Sequence, residues 1–164
     1  MAHLRHKLPQ GFGLIETVVG AAIIGVVLFS AAQIGQFVFR LVDESNFRLR
    51  AAFLAEEGIE VMRILRDTSW ATNVAPLALS TDYYMTWSGG AWQVGTTPSP
   101  FVDGTFDRRL RVEAVSRDST DAITTSGGTL DPNTKKVTIA VGWSNRGRWA
   151  TTTLATYLTN LFSN

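Results

Sequence analysis

The feature that most constrains this chain is an apolar run over residues 17–39, which contains no charged residue and no proline. The run is slightly more than twenty residues long. At a rise of about 1.5 Å per residue, a helix of that length crosses the roughly 30 Å of hydrocarbon in a bilayer. The run therefore predicts a membrane-spanning helix near the N-terminus.

The charges on either side of this run indicate its orientation. Arg5 and Lys7 precede it, whereas the acidic residues Asp43 and Glu44 follow it closely. Because positive charge tends to stay on the cytoplasmic side, we expect the N-terminus to lie inside and the rest of the chain to be exported across the cytoplasmic (inner) membrane.

The residues just before the run form an unusual junction, Gly11-Phe12-Gly13-Leu14-Ile15-Glu16. It combines glycines, an aromatic residue and one carboxylate at the start of a membrane span. A carboxylate in that position is costly, so Glu16 needs a partner. The junction resembles the cleavage and assembly signal of type IV prepilins.

The resemblance implies a role for each of these residues. Residues 1–11 correspond to the leader, and a dedicated prepilin peptidase is expected to cut the Gly11–Phe12 bond and to N-methylate Phe12. Glu16 then occupies the fifth mature position. In that family this glutamate is thought to neutralise the N-terminal amine of a neighbouring subunit, an attraction that is strong in low dielectric.

The same resemblance implies the function and the partners. The chain is expected to be a structural subunit of a type IV pilus or related filament, bound to other subunits through its N-terminal helix and handled by inner-membrane assembly machinery. It would end in an extracellular or periplasmic filament. Many major pilins have a proline in this span, and residues 17–39 have none. A minor pilin, or a pseudopilin of a type II secretion system, is therefore favoured.

A conventional signal peptide is the alternative reading of the same segment. Residues 18–29 could be its apolar region, and Ser30-Ala31-Ala32 offers small residues for cleavage after Ala32. The product would be a secreted β-rich binding or adhesion domain. Glu16 and the apolar residues that continue to Phe39 count against this alternative.

The segment after the run changes from apolar to amphipathic. One helical stripe contains Ala51, Leu54, Ala55, Gly58, Val61, Met62 and Leu65. No turn signal separates this stripe from the span, so one helix over residues 12–67 is predicted. We divide the chain into a leader (1–11), a hydrophobic assembly helix (12–39), its amphipathic continuation (40–68) and a β-rich head (69–164).

The head is predicted to contain a small antiparallel sheet packed on the second half of the helix, which gives an α+β, pilin-like fold. The predicted strands are 83–88 and 91–95 around Gly89-Gly90, an alternating strand at 106–117, and a last hairpin of 135–143 and 148–161 around a three-residue turn at Asn145-Arg146-Gly147. Residues 118–133 are predicted to form an exposed loop. Val112 and Ala114 are expected to face inward, and Trp143 and Trp149 to form a cross-strand pair.

The composition offers little for catalysis. Cysteine is absent, and both histidines, His3 and His6, lie in the expected leader. We therefore expect no enzyme activity, no metal site and no cofactor. Arg146 and Arg148 lie beside two tryptophans, a grouping that could bind nucleic acid, but cross-strand pairing of those rings is the simpler interpretation. We therefore do not expect nucleic acid as a partner.

Overall fold

The structure, a computed structural model, describes residues 13–162. The expected cleavage site Gly11 and methylation site Phe12 lie outside the described residues. A long helix α1 (Leu14–Thr68) and a short helix α2 (Trp70–Asn73) precede six strands: β1 (Asp82–Ser88), β2 (Ala91–Gly95), β3 (Phe106–Arg117), β4 (Ile123–Thr124), β5 (Thr129–Asn145) and β6 (Arg148–Thr159). A long helix and a small antiparallel sheet confirm the predicted α+β layout.

The chain divides into two compact units, Met1–Asp43 and Glu44–Asn164. We call them the N-terminal unit and the globular unit. Helix α1 runs through the boundary between them without interruption. The prediction of one uninterrupted helix is thus confirmed, with its start observed at Leu14.

The described part of the N-terminal unit is the first half of α1. An 18-residue window of the helix has a mean hydropathy of 2.2, and none of that window is buried. Among residues 13–162, α1 is the one helix that is long and apolar enough to cross a membrane.

The globular unit consists of an antiparallel sheet with the order β2-β1-β3-β5-β6, with β4 paired to the end of β3. The second half of α1 supplies one side of the core, and the inner face of the sheet supplies the other. The principal buried residues are Ala51, Ala55, Ile59, Val61, Met62, Tyr83, Met85, Phe106, Leu110, Val112, Val137, Ile139, Val141, Trp143 and Leu158.

The predicted helical stripe forms the helix side of this core, with two adjustments. Leu54 and Leu65 are only half-buried, whereas Ile59, which we did not assign to the stripe, is buried. Gly58 lies where helix and sheet approach most closely: a Cβ added there would be 3.0 Å from Cγ2 of Ile139 and 3.1 Å from Cε of Met85. The glycine therefore permits close packing of α1 on the sheet.

The first predicted hairpin is confirmed. Its turn residues Gly89 and Gly90 have φ of 62° and 81°, as a two-residue turn with two left-handed positions requires. Trp87 and Trp92 lie opposite each other, with ring centroids 5.5 Å apart at an interplanar angle of 73°. This edge-to-face pair stabilises the hairpin near its tip.

The predicted exposed loop over residues 118–133 is wrong in part, because β4 and the start of β5 lie inside it. The sequence there is rich in turn-forming residues, but pairing with β3 extends the sheet. The register shifts between Ala114 and Val115. This bulge turns Val115 into the core and leaves Ala114 exposed, which corrects the predicted inward position of Ala114.

The last hairpin differs from the prediction in its turn. Asn145 pairs with Arg148, so the turn has two central residues, Arg146 and Gly147, both with positive φ. Strand β5 therefore extends to Asn145, beyond its predicted end at residue 143. Strand β6 ends at Thr159, before its predicted end at residue 161.

The predicted cross-strand pair of tryptophans is consequently wrong. Trp143 pairs with Ala150, and Trp149 pairs with Ser144. Trp143 is 1% exposed in the core, whereas Trp149 is 55% exposed. Ala150 shares a face with its partner Trp143, and Trp149 is the neighbour of Ala150 in the strand. Because successive residues of a strand point to opposite faces, the two rings lie on opposite faces of the sheet.

An ion pair joins the extended ends of β3 and β5. Nε of Arg117 donates to Oδ2 of Asp131 at 2.7 Å, and this hydrogen bond is the main cause that lowers the pKa of Asp131 below its ordinary value. The Asp131 side chain is 16% exposed, so the pair is only partly screened by solvent.

Replacing Asp131 with Asn is expected to reduce the free energy of unfolding at pH 7 by about 1 kcal/mol. A carboxylate whose pKa is lowered on folding stabilises the protein above its unfolded pKa of about 3.9 and loses this contribution as the pH falls through the folded pKa. The stability difference between the two proteins should therefore shrink below pH 4, as urea unfolding at several pH values would reveal. Asp121→Asn is the control, because Asp121 is 87% exposed and 3.7 Å from Nε of Arg117. A difference that does not change with pH would contradict this role of Asp131.

Candidate functional site

The candidate site is the beginning of α1. It contains Gly13, Leu14 and Glu16, three residues of the junction that was identified from the sequence. Leu14 is the first residue of the helix, and Glu16 is the acidic residue of its first turn. Oε2 of Glu16 accepts a hydrogen bond of 3.1 Å from the backbone N–H of Gly13. This is the glutamate half of a capping box, in which the third helical residue reaches back to the residue before the helix.

This contact gives Glu16 a local partner that the sequence reasoning missed. The three-residue spacing between Gly13 and Glu16 was the signal that could have indicated it. The negative charge also lies at the positive end of the helix dipole. Because a carboxylate has two acceptor oxygens, a single N–H leaves capacity for another donor, such as an amine.

The surface that follows Glu16 is almost continuously apolar. From Leu14 to Val42 the large apolar side chains are between 48% and 83% exposed. They are Leu14, Ile15, Val18, Val19, Ile23, Ile24, Val26, Val27, Leu28, Phe29, Ile34, Phe37, Val38, Phe39, Leu41 and Val42. A soluble monomer rarely exposes so large an apolar surface, so it marks a membrane or protein contact.

The hydroxyl groups within this segment are satisfied by the helix itself. Oγ of Ser30 donates to the carbonyl of Val26 at 2.8 Å, and Oγ1 of Thr17 donates to the carbonyl of Gly13 at 3.4 Å. Such bonds to the preceding turn remove the need for water. The segment can therefore lie in hydrocarbon with little cost from these two side chains.

Two small-residue pairs in the apolar half of α1, Ala21 with Gly25 and Ala31 with Gly35, have the spacing that lets two helices approach closely. A Cβ added at Gly25 or at Gly35 would meet nothing within 4 Å. Both glycines therefore border open space, and the close approach of another helix there stays a prediction.

Charged side chains on the outer face of the sheet, the face that points away from the core, form ion pairs. Nε of Arg109 donates to Oδ2 of Asp107 at 2.8 Å, and Nε of Arg111 donates to Oδ1 of Asp82 at 2.9 Å. The hydrogen bond to Asp107 is the main cause that raises the pKa of Arg109. Arg109 and Arg111 are thus each paired with a carboxylate.

The structure also places the other residues that were considered as a binding site, the arginines and tryptophans of the last hairpin. Trp143 and Trp149 lie on opposite faces, so the basic and aromatic cluster near Arg148 does not form. Within residues 13–162, no group of three His, Cys, Asp or Glu residues is arranged to hold a metal ion.

The start of α1 is therefore the part of the described chain where charge, backbone geometry and an exposed apolar surface coincide. Helix α1 could span a membrane by its length and composition. No protein-family model, no curated protein and no solved structure matches this chain.

Proposed function

We propose that this chain is a structural subunit of a type IV pilus or a related filament such as a type II secretion pseudopilus. Prepilin peptidase would process it at the Gly11–Phe12 bond, and its N-terminal helix would carry it into the filament. The observation that supports this most is the division of α1. One uninterrupted helix exposes apolar side chains in its first half and contributes the buried residues Ala51, Ala55 and Met62 in its second half.

This division suits a subunit that occupies two environments in turn. Before assembly, the first half of α1 would lie in the inner membrane with the globular unit exported. In the filament, the same side chains would contact the helices of other subunits. Both environments are apolar, so moving the helix between them exposes no apolar surface to water, and close packing of the helices can drive assembly.

Glu16 has a separate role in this proposal. Cleavage after Gly11 creates an α-amine at Phe12, which is largely protonated at neutral pH because its ordinary pKa is about 7.7–8.0. Its charge and that of Glu16 are both costly in an apolar filament core unless they are paired. Pairing of the Phe12 amine of one subunit with Glu16 of a neighbour would therefore favour one axial offset between their helices.

The contact with Gly13 fits the stage before assembly. The N–H of Gly13 would hold the Glu16 carboxylate while the subunit waits in the membrane. Its free acceptor capacity would then be available to the amine of an incoming subunit. Function in this proposal is assembly, with prepilin peptidase, other subunits and inner-membrane machinery as partners.

Processing can be tested by replacing Gly11 with Leu in a host that contains a prepilin peptidase. The side chain should obstruct cleavage, so the variant should keep its leader and migrate as the precursor on immunoblots of membrane fractions. Gly25→Leu is the matched control, since it adds the same side chain within the span and should be processed normally. A Gly11→Leu protein cleaved to the wild-type product would contradict the proposal and favour an ordinary signal peptidase.

A further inference from the structure

A small pocket lies on the outer face of the sheet, where β3, β5 and β6 run side by side. Asp107, Gly142 and Thr151 lie opposite one another across these three strands, so these positions share one face. The pocket has a volume of about 190 Å³, several times the roughly 30 Å³ that one water molecule occupies in the liquid. It therefore has room for a single small ring. Its lining residues are Asp107, Arg109, Ala140, Gly142, Trp149 and Thr151.

Trp149 forms an aromatic wall of this pocket. Its indole ring packs so closely over Gly142 that a Cβ added there would be 2.3 Å from Cζ2 and 2.9 Å from Cε2 of the ring. The ring can occupy this position because residue 142 has no side chain. Trp149 is nevertheless 55% exposed. Its position is thus held from below while much of its apolar surface stays accessible to a ligand.

Arg109 and Asp107 form a polar wall. Nε and Nη2 of Arg109 both lie within 2.8 Å of Oδ2 of Asp107. Nη1 of Arg109 is 3.6 Å from Oδ2 of Asp82, beyond ordinary hydrogen-bond distance. A guanidinium has five N–H donors and a carboxylate has two acceptor oxygens. The Arg109 side chain is 46% exposed, so it can donate to a ligand while Asp107 holds it in place.

The charges of this region limit the class of ligand. Two arginines and two aspartates are paired here, namely Arg109, Arg111, Asp82 and Asp107. Their formal charges cancel, so the region offers no net attraction to a phosphate, a carboxylate or an ammonium group. Adjacent donors and acceptors instead suit hydroxyl groups, which both donate and accept. The exposed indole surface suits a ligand that also has an apolar face.

We propose that this pocket binds one pyranose ring of a neutral glycan. A pyranose has C–H groups on the faces of its ring and hydroxyls around its edge. The C–H groups would stack on Trp149, where their removal from water is favourable. Neighbouring hydroxyls would accept from Arg109 and donate to Asp107, with Thr151 as a further polar contact. Small-molecule sites commonly combine an apolar surface with a few fixed polar groups in this way.

This inference does not depend on the filament proposal, because every residue in it belongs to the globular unit. The alternative role for Trp149 is to cover Gly142 and stabilise the strands, without any ligand. The two roles differ in one measurable respect. The surroundings of the Trp149 ring change on addition of a sugar if the pocket is a binding site, and stay the same if the ring is structural.

The test is ¹⁹F NMR of the full-length chain labelled with 5-fluorotryptophan, since the chain has five tryptophans. The detergent must lack a sugar head group, as lauryldimethylamine oxide does. Methyl β-glucopyranoside is the probe, and a dissociation constant of about 1 mM is expected for a ligand of its size. The Trp149 resonance should shift to saturation, whereas that of Trp87, which is 62% exposed, should not. No shift at Trp149 at about 50 times that concentration, or equal shifts of both resonances, would overturn the proposal.

Substitutions then identify the contacts, with binding measured by saturation transfer from the protein to the sugar protons. Trp149→Ala removes the stacking surface and should lower the affinity about tenfold or more. Trp87→Ala is the matched control, since it removes an exposed tryptophan of the β1–β2 hairpin and should leave the affinity unchanged. Thr151→Val keeps the shape of the side chain but removes a hydroxyl, so it should weaken binding about threefold. Equal affinities of the Trp149→Ala and Trp87→Ala proteins would contradict the proposed site.

Cellobiose distinguishes a glycan from a free monosaccharide as the ligand. Because Arg109 and Trp149 are both partly exposed, a second ring can extend beyond the pocket into solvent. Cellobiose should therefore bind at least as tightly as the methyl glycoside. Binding about tenfold weaker would show that the pocket accepts a free sugar alone, and the assignment to a glycan would be wrong.

Discussion

A fragment that begins at Trp70 is expected to aggregate or to remain unfolded, whereas a fragment that begins at Arg40 should be soluble and folded. The shorter fragment lacks the half of α1 that covers the sheet. Its loss uncovers five side chains that are fully buried in the intact protein: Leu110, Val112, Val137, Ile139 and Val141. Burial of such side chains contributes about 1.5–3 kcal/mol each, so their sum is comparable with the whole stability of a typical domain, about 5–15 kcal/mol.

Thermal unfolding and analytical ultracentrifugation of the two fragments measure this effect. The fragment from Arg40 is the control, since it lacks the membrane span but keeps every residue of the buried core. A fragment from Trp70 that stays monomeric with an unchanged melting temperature would contradict the assignment of α1 to the core.

Replacement of Glu16 with Ala is expected to leave membrane insertion and cleavage largely intact and to prevent incorporation into filaments. Loss of a charge makes the span more apolar, so insertion is not impaired. Assembly should fail because the amine of the neighbouring subunit then lies unpaired in the filament core. The measurement is the amount of the protein in sheared filaments relative to the membrane fraction.

Two further variants separate this role from capping of the helix. Glu16→Gln keeps an acceptor for the N–H of Gly13 but removes the charge, so it should fail in the same way. Glu56→Ala removes an exposed carboxylate from the second half of α1 and should assemble normally. Normal assembly of the Gln variant would show that the hydrogen bond to Gly13, and not the charge, is what the filament needs.

The helical part of the fold could be predicted because its signals are local. The absence of charge over residues 17–39 and the stripe that includes Val61 and Met62 are both periodic properties of the sequence. The hairpin at Gly89-Gly90 was equally accessible, since two adjacent positive φ values favour glycine.

The errors occurred where pairing between distant residues decides the structure. The segment before Asn133 has the composition of a loop, but its pairing with β3 and the ion pair between Arg117 and Asp131 make it a strand. The turn at Arg146 has one residue fewer than predicted because Asn145 remains in the ladder. That single residue sends Trp149 to the outer face.

The candidate site was predicted in part, although its missed contact is a local one. Glu16 was identified from the sequence because a carboxylate beside an apolar span is conspicuous. Its hydrogen bond to Gly13 was not predicted, because Gly13 lacks the Ser or Thr side chain that marks the first position of a capping box.

The N-terminus of the mature protein is the most direct test of the filament proposal. Mass spectrometry of the protein purified from the membrane should find a chain that begins at Phe12 and carries an added methyl group on its amine. Such a chain keeps Glu16 at the fifth position and the entire apolar half of α1. A mature chain that begins at Gln33 would instead have lost most of that half, and the proposed function would be wrong.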